Sequence, residues 1–186
     1  RFLRAGLVLG LVTGGLYTLA SMLPFVMIDR VGLTPTMFGL SMLCQTGAYT
    51  LGTVIVGRLL RRFEASRLIA VGLVFSICAA VGFGVVLRLY PPSFATVMTP
   101  VALWAFGIAL VMPGVTTNAL AGFPHIAGAA AAMTGFMQIG GGLVGSAVGA
   151  AFFSDPFVAM TTVLPLMAIG AVAVHAGLAP RPLRAA

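Results

Sequence analysis

Long apolar stretches without a charged side chain alternate with short charged segments along this chain. About 20 apolar residues are enough for a helix to cross the hydrocarbon core of a membrane. Four of the stretches therefore hold one crossing each, and the longest holds two, separated at Gly122-Phe123-Pro124-His125. The charge-free stretches are Ala5–Ile28, Val31–Gly57, Leu68–Leu87, Leu89–Ser154 and Pro156–Pro180.

This pattern predicts an all-α membrane protein, formed by a single bundle of six transmembrane helices over residues 1–186. The composition points the same way, because 60% of the residues are hydrophobic and 7% are charged, whereas a soluble domain carries about 25% charged residues. No segment has the composition of a separate soluble domain. The predicted helices, one to six, cover approximately residues 5–28, 35–57, 68–87, 95–120, 126–153 and 157–178.

The start of the chain, Arg1-Phe2-Leu3-Arg4 followed by apolar residues, imitates a secretory signal peptide. The apolar run is too long for one, and five similar segments follow it, so we predict a membrane span instead. The first residue is not Met, which favours a chain cut from a longer one.

The ten arginines predict the orientation of the bundle, since the chain contains no lysine and has a net charge of +7. Six spans place both termini on one side, together with eight of the arginines, and leave Arg30 and Arg88 on the other. The positive-inside rule then predicts cytoplasmic termini in a multi-pass protein of the inner (plasma) membrane. Nucleic-acid binding is not expected, because the arginines do not cluster with aromatic residues on one exposed domain.

Glycines recur at every fourth position in two predicted helices. Gly6, Gly10 and Gly14 do so in helix one. In membranes such stripes allow two helix backbones to approach closely, which by itself explains them; a smooth helix pair that slides during a transport cycle is the functional alternative. We predict helix-interface positions for Gln45, Gln138, Gly141, Gly145 and Gly149.

Polar side chains inside the predicted spans are the candidates for a binding site, because they are costly in lipid. A Ser or Thr hydroxyl often bonds to its own helix, and a Gln sometimes only bridges two helices. The several polar-faced helices predict a largely apolar cavity suited to amphipathic organic molecules rather than to sugars or ions. The predicted cavity residues are Tyr17, Ser21, Trp104 and Asn118.

Other chemistry is not expected. Cys44 and Cys78 are interpreted as buried free thiols, and no metal or cofactor site is predicted. An intramembrane serine protease is not expected, because Gly-x-Ser-Gly is missing and neither His125 nor His175 falls deep within a span. The predicted spans also contain no Asp, Glu, Lys or Arg, although a proton-driven transporter requires a titratable group in or near the membrane.

Two segments resemble the major facilitator superfamily and, within it, the bicyclomycin-resistance (Bcr/CflA) drug-efflux family. Residues 123–138 are similar to that family's pattern Phe-Pro-x-x-Ala-Gly-x-Ala-x-Ala leading into Gly-x-x-Gln. Residues 57–67 resemble the second copy of the superfamily's cytoplasmic Gly-x-x-x-Asp-Arg loop, matched at Gly57 and Arg62. Arg61 stands at the Asp position of that motif, so the usual acidic latch is not expected here.

The resemblance covers essentially the whole chain and registers it as helices seven to twelve of a twelve-helix transporter. It implies alternating access, with helices one and four lining the cavity, two and five facing the N-terminal six-helix half, and three and six facing lipid. It also implies efflux of drug-like amphipathic molecules by proton antiport, with the coupling carboxylates largely in the other half. A non-transporting half-length assembly partner and a metabolite exporter of the same fold are the alternatives.

Overall fold

The computed structural model describes residues 2–178, and that part of the chain is helical, without strands. Six of its helices are long and apolar enough to cross a membrane, which confirms the predicted fold class. They are α1 (Phe2–Arg30), α2 (Pro35–Leu59), α3 (Ala65–Leu89), α4 (Phe94–Leu120), α5 (Pro124–Phe152) and α6 (Pro156–Gly177).

Most of the helices are longer than predicted, because the charge-free pattern marks only the apolar part of each helix. Helix α1 includes Arg4 and Arg30, and α3 includes Arg67 and Arg88, all close to a helix end. A long charged side chain at a helix end reaches the headgroup region while its apolar stem remains in the membrane. The backbone therefore continues as helix beyond the hydrophobic span.

The starts of three helices are fixed by short polar side chains. The Thr34 hydroxyl accepts from the Met37 N–H at the start of α2, and Asp155 accepts from the Phe157 N–H at 2.9 Å at the start of α6. Ser93 forms a reciprocal capping box with Thr96 at the start of α4. These bonds satisfy N–H groups that have no partner within the helix.

Helices α1 and α4 form the centre of the bundle. In an 18-residue apolar segment of each helix, 56% of α1 and 61% of α4 is buried within the protein, but only 17% of α2 and of α5. Helix α2 packs mainly on α4, and α5 packs mainly on α1. The two peripheral helices therefore leave most of their apolar surface to something outside the described chain.

Helix α3 contains a single π-turn, Gly82–Val86, where it meets two prolines. A Cβ at Gly82 would come within 2.7 Å of Pro100 in α4, and one at Gly84 would come within 3.2 Å of Pro165 in α6. Because glycine has no side chain, α3 can pack closely against α4 and α6 at these two positions. The π-turn, with its wider backbone spacing, lies at this crossing point.

Both cysteines are exposed on the bundle, so the interpretation of Cys44 and Cys78 as buried thiols is wrong. Each is in a transmembrane helix, and the sequence pattern alone did not reveal that these helix faces lie on the outside. An apolar thiol is compatible with a lipid-exposed position as well as with a core.

Candidate functional site

The seam between α1 and α5 is the closest helix contact near the predicted site. A Cβ at Gly10 would lie 2.8 Å from the Met137 carbonyl oxygen, and one at Gly14 would lie 2.7 Å from the backbone of Gly141. The residue numbers of the contacting pairs increase in the same direction along both helices, so the two helices run parallel. Backbone-to-backbone contact of this kind holds membrane helices together by van der Waals packing.

The glycine stripe of α5 faces α1 of the same bundle. Gly141 meets Gly10, Gly145 meets Thr18, and Gly149 meets Met22. The stripe is therefore covered by α1 and does not by itself indicate an interface with a partner bundle. Glycines at every fourth position identify a close helix contact, but they do not identify which helix makes it.

Thr18 fastens the seam at its buried side. Its hydroxyl donates to the Gly142 carbonyl at 3.3 Å and lies 3.7 Å from the Met167 sulfur of α6. A buried hydroxyl that lacked a partner would cost about 1–3 kcal/mol. The polar side chain thus ties α1, α5 and α6 together without opening a cavity.

A small polar patch lies on the exposed side of the same seam. The Ser21 hydroxyl donates to the Thr18 carbonyl at 2.7 Å and lies 3.0 Å from the Ser146 hydroxyl of α5. Since Ser21 has only one proton to donate, Ser146 is the donor in the second bond. Tyr17 is 47% exposed, and its Cβ borders the space over Gly142. We call Tyr17, Ser21 and Ser146 the seam patch.

The sequence prediction found two members of the seam patch and missed the third. Ser146 follows Gly145 directly and is not among the predicted cavity residues. Its spacing relative to the glycine stripe places it beside the interface, and this was the available signal. Only the packing of α5 against α1 shows that Ser146 lies next to Ser21.

Trp104 does not line a cavity, which corrects the prediction made for it. The residue is 0% exposed, and its indole N–H donates to the Val12 carbonyl of α1 at 3.0 Å. Gly15 provides the space for the indole ring, and Phe83 packs against it edge-on with ring centroids 6.3 Å apart. Trp104 is thus a core residue at the contact of α1 with α4. The sequence favoured a cavity position because it reveals the polar indole N–H of Trp104 but not the carbonyl group to which this N–H donates.

Asn118 is separated from the seam patch and lies at the end of α4. It lines a cavity of about 740 Å³ at the end of the bundle that carries Arg4 and residues 58–67, which we call the arginine-rich end. His175 also lines this cavity. The structure therefore divides the predicted cavity residues among three places: the seam patch, the core and the arginine-rich end.

Gln45 and Gln138 are both partly buried at helix surfaces. Gln45 belongs to the side of α2 that contains Ser41 and Gly52, and Gly52 meets Ala109 of α4. Gln138 directly follows Met137, whose carbonyl borders Gly10. Neither amide forms a side-chain hydrogen bond with another residue in the range 2–178.

The loop resembling the superfamily motif is exposed. A Cβ at Gly57 would meet nothing within 4 Å, and Arg62 is exposed in a turn after α2. Glu64 accepts a hydrogen bond from the Ser66 hydroxyl at 3.3 Å. Within the described part of the chain, no arginine of this loop forms an ion pair with it.

The opposite end of the bundle carries the ion pair Arg30–Asp155, which joins the end of α1 to the start of α6. Arg30 also lies 5.8 Å from the centre of the Phe157 ring. Nearby, the Arg88 guanidinium donates to the Thr161 carbonyl at 3.3 Å and to the Thr162 hydroxyl at 2.7 Å. These contacts join α1 and α3 to α6 at that end of the bundle.

Taken together, these features define a multi-pass α-helical membrane protein with a polar patch at a helix seam and a cavity at one end. No known family model matches the chain, and no curated protein matches it. Within residues 2–178, no three His, Cys, Asp or Glu side chains are grouped so that they could hold a metal ion.

Proposed function

We propose that this six-helix bundle is one half of a transporter resembling the major facilitator superfamily. In this proposal a second six-helix bundle completes the transporter, and the pair exports drug-like amphipathic molecules in exchange for protons across the inner membrane. The support comes from the resemblance of residues 57–67 and 123–138 to the drug-efflux family, and from the position of the seam patch.

The seam patch is the observation that carries the proposal. Tyr17 is close to the middle of the 29-residue α1, near the bilayer midplane, where many transporters bind substrate. Polar groups on an exposed helix face are unfavourable in lipid but favourable beside a water-filled cavity. A cavity between two bundles would place the Tyr17 and Ser21 hydroxyls in contact with a passing substrate.

The exposed surfaces of α2 and α5 support a partner bundle. Large apolar side chains project from both, and Leu43, Phe136 and Leu143 are each at least 66% exposed. These are the two helices that the resemblance assigns to the interface with the other half. The charge-free stretches that hold the six predicted spans contain no carboxylate, so we assign the coupling carboxylate to the partner bundle.

Dye efflux tests the proposal. An efflux-deficient strain expressing the chain with its partner bundle is loaded with ethidium, and efflux is measured with and without a pH gradient. Tyr17→Phe and Ser21→Ala each remove one neutral hydrogen bond, and we expect efflux to fall about two- to tenfold. Tyr90→Phe, an exposed tyrosine outside the helices, is the matched control and retains full efflux.

The alternatives give different results in this dye assay and in a strain from which the gene has been deleted. A non-transporting assembly partner gives no efflux that responds to the pH gradient in any variant. A metabolite exporter leaves ethidium efflux and drug susceptibility unchanged when the gene is deleted. Gradient-driven efflux that is unaffected by both seam-patch variants would contradict the assignment of the site.

A further inference from the structure

The cavity at the arginine-rich end is separate from the seam patch. It lies among the ends of α1, α3, α4 and α6, and its polar lining includes Arg4, Ser66, Asn118 and His175. Arg4 and Tyr17 are 13 positions apart in α1, which corresponds to about 20 Å along the helix. Its volume of about 740 Å³ is in the range of about 300–1,000 Å³ typical of small-molecule sites.

Arg4 gives the cavity its charge. Its Nε is buried and has no hydrogen-bond partner among residues 2–178. A guanidinium remains protonated under all ordinary conditions and has five N–H donors. Within the described range Glu64 is the one acid at this end of the bundle; it accepts a bond from Ser66 and does not pair with Arg4. Arg4 as a whole is only partly buried and lines the cavity, so an oxyanion bound there would neutralise its guanidinium.

The surrounding charges favour an anion as well. Arg58, Arg61, Arg62 and Arg67 lie at the same end, opposed only by Glu64 within the described range. Asp29 and Asp155 lie at the opposite end of the bundle. Clustered charges of one sign concentrate counter-ions at a cleft. Asn118 and His175 add neutral hydrogen-bonding groups to the lining.

The remaining wall is apolar. Phe2 and Phe123 both line the cavity and pack edge-to-face with ring centroids 5.3 Å apart. Val8, Ile69 and Val115 line the cavity deeper in the bundle. A ligand complementary to both parts has an anionic head and an apolar body, so a small inorganic ion alone would leave much of the wall uncovered.

We infer that this cavity binds the phosphate group of an amphipathic phosphate ester. Arg4 is the anchoring residue, Asn118 and His175 donate further hydrogen bonds, and the apolar wall covers the adjoining chain. This site stands independently of the transport proposal. An anionic phospholipid headgroup and a soluble organic phosphate share the required chemistry, and the experiment separates them.

The test uses the purified chain in neutral detergent. Native mass spectrometry measures how much phosphatidylglycerol and phosphatidylcholine the protein retains from an equimolar mixture. Hexyl phosphate and inorganic phosphate are then added as soluble competitors. We expect preferential retention of phosphatidylglycerol. Retention that survives both competitors identifies a lipid ligand, whereas displacement by hexyl phosphate identifies a soluble phosphate ester.

Two variants locate the binding, each with a control. Arg4→Gln removes the charged hydrogen bonds and is expected to weaken binding about tenfold. Arg61→Gln makes the same charge change on the loop outside the cavity and leaves binding unchanged. Gly122→Phe adds a bulky uncharged side chain to the cavity lining, at a position where a Cβ would meet nothing within 4 Å.

Three results would overturn the inference. Equal retention of the two lipids shows that the anion is not recognised. Equal losses in Arg4→Gln and Arg61→Gln show that general surface charge holds the ligand. Full binding by Gly122→Phe shows that the ligand lies elsewhere, and this variant remains decisive if Arg4→Gln fails to fold.

Discussion

At the scale of single residues, the absence of a side chain determines how closely α1 and α5 pack. Gly141 and Gly140 are adjacent in α5, yet a Cβ at Gly141 would meet the backbone of Gly10, whereas one at Gly140 would meet nothing within 4 Å. A flexible side chain can move aside, but a helix backbone cannot. The two positions thus form a natural comparison within one helix turn.

We predict that Gly141→Ala separates α1 from α5 and lowers the free energy of unfolding by about 1–3 kcal/mol, the usual cost of overpacking. Gly140→Ala is the control and should be neutral or slightly stabilising, because alanine favours a helix. Unfolding by sodium dodecyl sulfate in mixed micelles, followed by circular dichroism, measures both. Equal effects of the two substitutions would contradict the close seam.

Trp104 allows a second residue-scale prediction, because it is the only tryptophan in the chain. Its complete burial predicts blue-shifted fluorescence that acrylamide in water does not quench. The double variant Trp104→Phe with Phe136→Trp is the control, since Phe136 is 71% exposed on α5. In the chain reconstituted without a partner bundle, brominated lipid should quench this second tryptophan strongly. Quenching of Trp104 by acrylamide would contradict its burial and show that it lines a water-filled cavity.

At the scale of helices, Arg88 of α3 compensates for a proline in α6. Pro165 has no N–H, so the Thr161 carbonyl four residues earlier lacks its usual helical partner. The Arg88 guanidinium donates to that carbonyl at 3.3 Å. In a membrane an unsatisfied carbonyl is especially costly, so this contact joins two helices where one of them is interrupted.

A double-mutant cycle tests this compensation. We predict that Arg88→Leu costs about 1–3 kcal/mol of stability in the natural background. The cost should be smaller by about 0.5 kcal/mol or more in a Pro165→Ala background, where the helix supplies the missing N–H. Arg30→Leu is the control, because its half-exposed ion pair is expected to contribute at most about 1 kcal/mol. Additive costs would show that Arg88 does not act through Pro165.

At the scale of the whole molecule, the distribution of arginines predicts orientation. The arginine-rich end carries Arg4 and residues 58–67, and the opposite end carries Arg30 and Arg88. The helices alternate in direction, so the loops 60–64 and 90–93 lie on opposite sides of a membrane. The positive-inside rule assigns the first of these loops to the cytoplasm.

Reporter fusions measure this orientation. Alkaline phosphatase, which is active only outside the cytoplasm, should be inactive when fused within 60–64 and active within 90–93. Green fluorescent protein should give the reverse pattern. Neutralising Arg58, Arg61, Arg62 and Arg67 together should weaken the difference, because that loop carries most of the charge bias. An active phosphatase at 60–64 in the natural chain would reverse the predicted topology.

The sequence by itself determined the number of helices and their approximate positions. Crossing a membrane requires about 20 apolar residues with every backbone group bonded within the helix, and this requirement is local. The largest errors in helix ends, three residues at the starts of α1 and α3, occurred where Arg4 and Arg67 continue the helix past its apolar part. The glycine stripe was also visible as a close-packing face.

The tertiary structure decided which residues meet. Side chains with the same sequence character have different surroundings: Trp104 is in the core, Asn118 is at the cavity, and Ser21 pairs with Ser146. In an almost wholly apolar chain, every helix face is apolar enough for either lipid or core. Hydrophobic periodicity therefore carries little information about facing, and only the packing of α1 against α4, α5 and α6 assigns it.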